Sequence, residues 1–176
     1  MKPCRGFTLI ELLVSVAIVA IMIRLAVPSY QFIINSSRIS SELDGLQTSF
    51  QLARSEALRR GLSVTVCSSV DGRSCSGSSN WKTGWLVFVD PNHNAAFDRG
   101  DTLLRQQPAW DSPDLLEADN GVGSLRFSSK GMVAGLPADP VTFGVTPPTN
   151  AGLQKRCLAV GASGRLAMQP PGTGAC

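Results

Sequence analysis

Near its start the chain runs from a short basic leader, ending Arg5-Gly6, directly into Phe7-Thr8-Leu9-Ile10-Glu11 and an apolar stretch reaching Val27. At about 1.5 Å per residue, the segment 7–27 has the length of a helix that crosses about 30 Å of hydrocarbon. An ionised carboxylate inside such a helix costs several kcal/mol unless it has a partner, so Glu11 marks a functional position. A free α-amino group at the same depth would serve, and one arises if the chain is cut after Gly6. Phe7 then becomes the new N-terminus, and the Glu11 of one copy can pair with the amine of its neighbour. A secretory signal peptide reads poorly here, because Pro28-Ser29-Tyr30 follows the apolar run where a small-residue cleavage site belongs. A plain uncleaved anchor leaves Glu11 unexplained. Lys2 and Arg5, with no acid before Glu11, predict a cytoplasmic N-terminus and put everything after Val27 across the membrane. Arg24 lies close enough to the outer end to snorkel.

These residues resemble the type IV prepilin family. Gly6-Phe7-Thr8-Leu9-Ile10-Glu11 matches its peptidase site, and Pro28 and Tyr30 stand where the family has them. The resemblance implies that a prepilin peptidase cuts after Gly6 and methylates the Phe7 amine, and that Glu11 supports assembly into a helical filament.

Of the 176 residues, those beyond the leader and helix are enough for one small core and not for two domains. Losing Lys2 and Arg5 lowers the formal charge from +3 to +1, so no general basic field invites nucleic acid. Of the five cysteines Cys4 belongs to the leader, leaving Cys67, Cys75, Cys157 and Cys176. Export makes them disulfide candidates with three possible connectivities. Cys67 with Cys75, closing a polar loop, and Cys157 with Cys176, tying down a Pro/Gly tail, are the favoured pairs. Zinc is the weaker reading, since there is no C-x-x-C pair and His93 is the sole histidine.

Beyond Pro28 the helical periodicity resumes, so the proline is expected to bend the element rather than end it. Ile39, Leu43, Leu46, Phe50, Ala53 and Ala57 form one apolar stripe, with Arg38, Glu42, Arg54, Arg59 and Arg60 mostly off it. Arg59-Arg60-Gly61 is a helix stop. Short strands are predicted at 64–67, 85–89, 102–105, 124–127, 141–145, 157–160 and 165–168, with turns at Asp71-Gly72, Lys130-Gly131 and Ser163-Gly164. Segments 111–123 and 147–152 read as loops. One long helix followed by strands implies an α+β fold with an antiparallel sheet. The expected organisation is a cleaved leader at 1–6, a transmembrane helix at 7–27, its amphipathic continuation at 28–61 and a β-rich periplasmic or extracellular head at 62–176.

Within the prepilins, several segments resemble the GspH/FimT family. They are Ala53-Arg54-Ser55-Glu56-Ala57, Val66-Cys67-Ser68-Ser69 with Asp71-Gly72 and Cys75, the run 84–90, and Asp98-Arg99-Gly100-Asp101 with Leu103-Leu104-Arg105. That resemblance implies the type IV pilin fold, a long helix on an antiparallel head. It also implies a non-enzymatic minor pilin of a pilus, helping to initiate or cap the filament, or alternatively a minor pseudopilin of type II secretion. The implied partners are the peptidase, other minor and major pilins or pseudopilins, the inner-membrane assembly platform and lipid. The implied location is the inner membrane, single-pass, and then the filament.

Two further sites come from the residues. Asp90, Asn92, Asn94, Asp98 and Asp101 occupy the register of a calcium loop, although Ala95 replaces the turn glycine and Asp101 the bidentate glutamate; a polar β-turn is the plainer reading. Lys155, Arg156 and Arg165 are candidate DNA contacts, since some FimT-type pilins bind DNA through a basic tail beginning Gly-Arg, as Gly164-Arg165 does. Ala167 stands where that pattern has a second arginine. No triad is assembled around His93, and no cofactor motif is present.

Overall fold

The computed structural model describes residues 8–149, 154–173 and 176. The chain divides into two compact units, Met1–Ser37 and Arg38–Cys176. Helix α1, Leu9–Arg60, contributes to both, and its helical backbone continues through position 28. Gly61 stops it in the left-handed region at φ 67, where its N–H reaches Ala57 O at 3.0 Å. Before that stop, Glu56 pairs with Arg59 and Arg60, and the two guanidiniums hold its carboxyl at about 2.

In the larger unit two antiparallel sheets share one core with the later part of α1. The five-stranded sheet runs β3 (Thr102–Pro108), β2 (Gly84–Val89), β1 (Val64–Ser68), β5 (Ser124–Phe127), β6 (Val133–Ala134). The four-stranded sheet runs β4 (Leu115–Ala118), β7 (Val141–Thr146), β8 (Arg156–Val160), β9 (Leu166–Gln169). All six stripe residues, Ile39, Leu43, Leu46, Phe50, Ala53 and Ala57, are fully buried. Phe50 sits at their centre, its ring 5.0 Å from Phe143 of β7 and 6.2 Å from Phe127 of β5, so one side chain touches both sheets. Trp85 of β2 donates its indole N–H to Ser49 Oγ at 3.0 Å, which satisfies the polar tip of a buried aromatic on the helix itself.

Strand β1 is buried on both faces. Val64 and Val66 enter the main core, while Cys67 belongs to a second cluster with Leu86 and Phe88, against which Cys75 and Phe97 pack. Phe97 arrives from the loop after β2, its ring 5.3 Å from Phe88. That second cluster explains why a loop of polar sequence is held in place.

One loop expectation is corrected. Segment 111–123 contains β4, which pairs with β7 as Leu116↔Val145 and Ala118↔Phe143. Its four residues alternate exposed and buried, too short a run to register as a strand by pattern. The two-residue β6 is a further addition. Part of the second expected loop, 147–152, lies outside the described residues.

Candidate assembly surface and head sites

Gly6 and Phe7, the expected processing site, lie outside the described residues. Helix α1 begins immediately after them. Thr8 caps it, accepting the Glu11 backbone N–H on Oγ1 at 3.3 Å while its carbonyl takes the Leu12 N–H at 3.2 Å. Thr8-Leu9-Ile10-Glu11 is thus the Thr-x-x-Glu sequence of a capping box, and the Glu11 carboxylate sits in the first turn where the helix dipole favours it. Reading Glu11 only as a charge in hydrocarbon missed this second role, although the four-residue signature was legible.

From Leu9 to Ile34 large apolar side chains stand exposed on every side of the helix, among them Leu13, Val16, Ile18 and Ile21. A helix apolar all round requires an apolar surrounding, which none of the described residues of its own unit supplies. Among the described residues, however, no helix is long and apolar enough to cross a membrane. Glu11 and Arg24 interrupt the run, and the uncharged part, residues 12–23, is about 18 Å long. The expected span of 7–27 therefore depends on how those two charges are satisfied.

Cys67 is bonded to Cys75 and Cys157 to Cys176. Within the first loop Asp71 Oδ1 accepts the Arg73 and Ser74 N–H groups at 2.8 and 2.9 Å, and these backbone donors hold its carboxyl far below the usual range.

The candidate calcium loop is organised as turns. Asp90 is buried and accepts from Thr65 Oγ1 at 2.7 Å, from Ala95 N at 3.1 Å and from Asn94 N at 3.2 Å. Asn92 and Asn94 aim amide N–H donors, not oxygens, at Asp98 Oδ2. Asp101 accepts the Asp98 N–H at 3.0 Å, and burial pushes its carboxyl up. The oxygens an ion would need are engaged with the loop's own donors, so this geometry carries turn chemistry. His93 lies in the same loop at φ 62, and its carbonyl accepts from Arg126 Nη1 at 2.6 Å.

The basic residues are not brought together. Lys155 and Arg156 lie at the start of β8, whereas Arg165 precedes β9 next to the β8–β9 turn, where Val160 pairs with Leu166. Five residues of strand separate the two ends by about 17 Å. Lys155 lines a depression that it shares with Glu117 and Asp119, which offset its charge. Three cations so dispersed make no continuous phosphate track.

One head residue, expected mostly off the apolar stripe, is buried instead. Glu42 is 6% exposed and lines a depression of about 280 Å³ with Arg38, Ser41, Trp110, Asp111 and Ser112. Burial pushes its carboxyl up, with neighbouring Asp114 adding to the effect, while Ser112, Arg38 and Lys82 pull the other way. Arg38 is committed elsewhere, its Nε and Nη2 forking onto the Asp114 carboxylate at 2.6 and 3.0 Å. The signal was present: 39, 42, 43 and 46 are i, i+3, i+4 and i+7, which puts an acid at a core position of the stripe.

This head matches the family of type II transport protein GspH over residues 42–164. The chain belongs to the GspH family. Its match begins at Glu42 and ends at Gly164, before β9 and the Cys176 tail. The prokaryotic N-terminal methylation motif matches residues 1–23. The pilin-like protein PilA1 of Thermus thermophilus is 27% identical over 172 residues, covering 94% of this chain and 98% of its own. The minor pilin FimU of Pseudomonas aeruginosa superposes with a TM-score of 0.60 at 20% identity, over 76% of this chain and 90% of FimU. The minor pseudopilin EpsH of Vibrio cholerae gives 0.52 at 16% identity, over 76% and 98%. Both share the type IV pilin fold with this GspH-family chain, which is a minor pilin or pseudopilin of a type IV pilus or a type II secretion machinery.

Proposed function

We propose that this chain is a structural subunit of the pilus branch, inserted in the inner membrane, cut after Gly6 by a prepilin peptidase, and assembled with other pilins to initiate or cap a filament. The observation that carries the reading is the all-round apolar, solvent-exposed early part of α1, which is built to be covered by lipid first and by other helices afterwards. Cleavage supplies the Phe7 amine, and the Glu11 of a neighbouring copy takes it as counter-ion, so the charge that interrupts the apolar run becomes neutralised on assembly. Arg24 reaches the headgroups, and lipid covers the residues between. The subunit is a building block and not an enzyme. The choice of pilus over secretion machinery rests on the Cys67–Cys75 strand and loop that come after the helix. A gene neighbourhood of other minor pilins with a large tip adhesin supports that choice, and a secretion operon overturns it.

Mass spectrometry of the membrane-associated protein tests the central step. A mature chain beginning at N-methylated Phe7 is expected. An intact Met1, or a cut beyond Val27, overturns the reading.

A further inference from the structure

We infer that the Glu42 depression receives a lysine or arginine side chain of a neighbouring subunit, which makes it a lateral docking site of the head. This inference rests on the reading of the chain as a filament subunit.

The charge balance comes first. Glu42 and Asp111 line the depression with one guanidinium, Arg38, whose fork is taken up by Asp114, itself 1% exposed. Glu42 is nearly as buried and has no ion pair among the described residues. Ser112, whose buried Oγ meets no partner in full hydrogen-bond geometry, lies beside the carboxyl and stabilises its charged form without neutralising it. Lys82 acts on the carboxyl only from a distance and forms no ion pair among the described residues. A largely buried carboxylate that lines an open depression and has no ion pair is stabilised by a cation that enters the depression to meet it.

The second observation is the wall. Trp110 is partly exposed in the depression, and its ring is fixed from behind by Trp85, edge to face at 5.0 Å. Gly45 allows the ring to lie on α1: a Cβ there would stand 3.2 Å from Trp110 Cζ2. A tryptophan and a carboxylate lining one depression of about 280 Å³ suit a cation that stacks on the ring while its N–H groups reach the acid. Exposed Asp111 at the rim adds attraction on approach.

The test is site-specific photo-crosslinking of the full-length chain in cells assembling the filament. A photo-reactive residue replaces Asp111 in one strain and Leu13 in another, and the cross-linked peptides are mapped. The expected result at 111 is a cross-link to a pilin-type subunit within a segment containing a lysine or arginine. Its yield should fall about tenfold or more in Glu42→Gln, while the cross-link from position 13 is unchanged. A cross-link at 13 with none at 111, or one at 111 that is indifferent to Glu42→Gln or maps to a segment without a cation, overturns this inference and leaves the filament reading standing. Loss of cross-linking at both positions overturns the filament reading and this inference with it.

Discussion

The two parts of α1 obey different rules. From Leu9 to Ile34 the helix is apolar on all sides and its large side chains are exposed, whereas from Arg38 onward a single stripe is apolar and every member of it is buried. Helix propensity does not separate them, since backbone helicity is continuous from Leu9 to Arg60. The difference lies in where the complementary surface comes from. For the later part it is supplied by two sheets of the same chain. For the earlier part no described residue of the same unit supplies it, and on the proposed function lipid and then other subunits do so. The earlier sequence is therefore selected for partners, and the later one for folding.

The sharpest way to break this contrast is to put the same charge into each part. Leu46→Asp buries an unpaired carboxylate among Phe50, Phe143 and their neighbours, at a cost of more than about 4 kcal/mol. The head is expected to lose near-ultraviolet circular dichroism and become protease-sensitive. Ile18→Asp should leave head stability unchanged within about 0.5 kcal/mol and instead weaken membrane retention and assembly. If both variants fail to fold, or both fold and assemble, the division is wrong.

The disulfides sharpen the same contrast at smaller scale, since both lie in the head. Replacing Cys157 and Cys176 with serine opens a loop with a separation of 19 residues and should cost about 3 kcal/mol. Replacing Cys67 and Cys75 opens one of 8 residues and should cost about 2.5 kcal/mol. Denaturant melts of the head measure both, and membrane retention should be indifferent to either. Equal loss of retention in these variants would mean that the two parts are not independent.

The smallest effect is expected at Glu42. Its carboxyl is raised in the folded chain, so the protonated form is the one folding favours. The associated stability is fully present below the unfolded value of about 4.3 and is lost as pH rises through the folded value. Glu42→Gln in the isolated full-length subunit should therefore raise the melting temperature at neutral pH, with the gain vanishing below about pH 4. A variant less stable than the parent at neutral pH would show that Glu42 already has its partner within the chain.

Much of this was legible in the sequence. The stripe from Ile39 to Ala57 could be read because a helix buries residues by a fixed period, and the long helix followed by strands gave the α+β class. What escaped was set by register. Nothing in the spacing of Lys155, Arg156 and Arg165 says that β8 and β9 turn back so as to hold them at opposite ends. Segment 111–123 hid β4 because only Leu116 and Ala118 face inward, and a period cannot be read from two residues. Glu42 reads as one of the charges mostly off the stripe, although its spacing from Ile39, Leu43 and Leu46 fits the core pattern.

The way β4 is paired has a consequence for how such a protein can polymerise. Its outer side is already occupied, with Trp81 N–H on Leu116 O and Ala118 N–H on Ser79 O, both at 2.9 Å. The other margins offer little to a foreign strand: β3 ends in Pro108, β6 has two residues, and β9 runs into Pro170 and the Cys176 bond. A head with its β4 edge occupied and its β6 edge only two residues long offers fewer places for growth by strand addition, the route that leads to amyloid-like aggregates. Head-to-head β-zippering is thereby disfavoured, and on the proposed function it is the helices and side-chain contacts that would join neighbouring subunits.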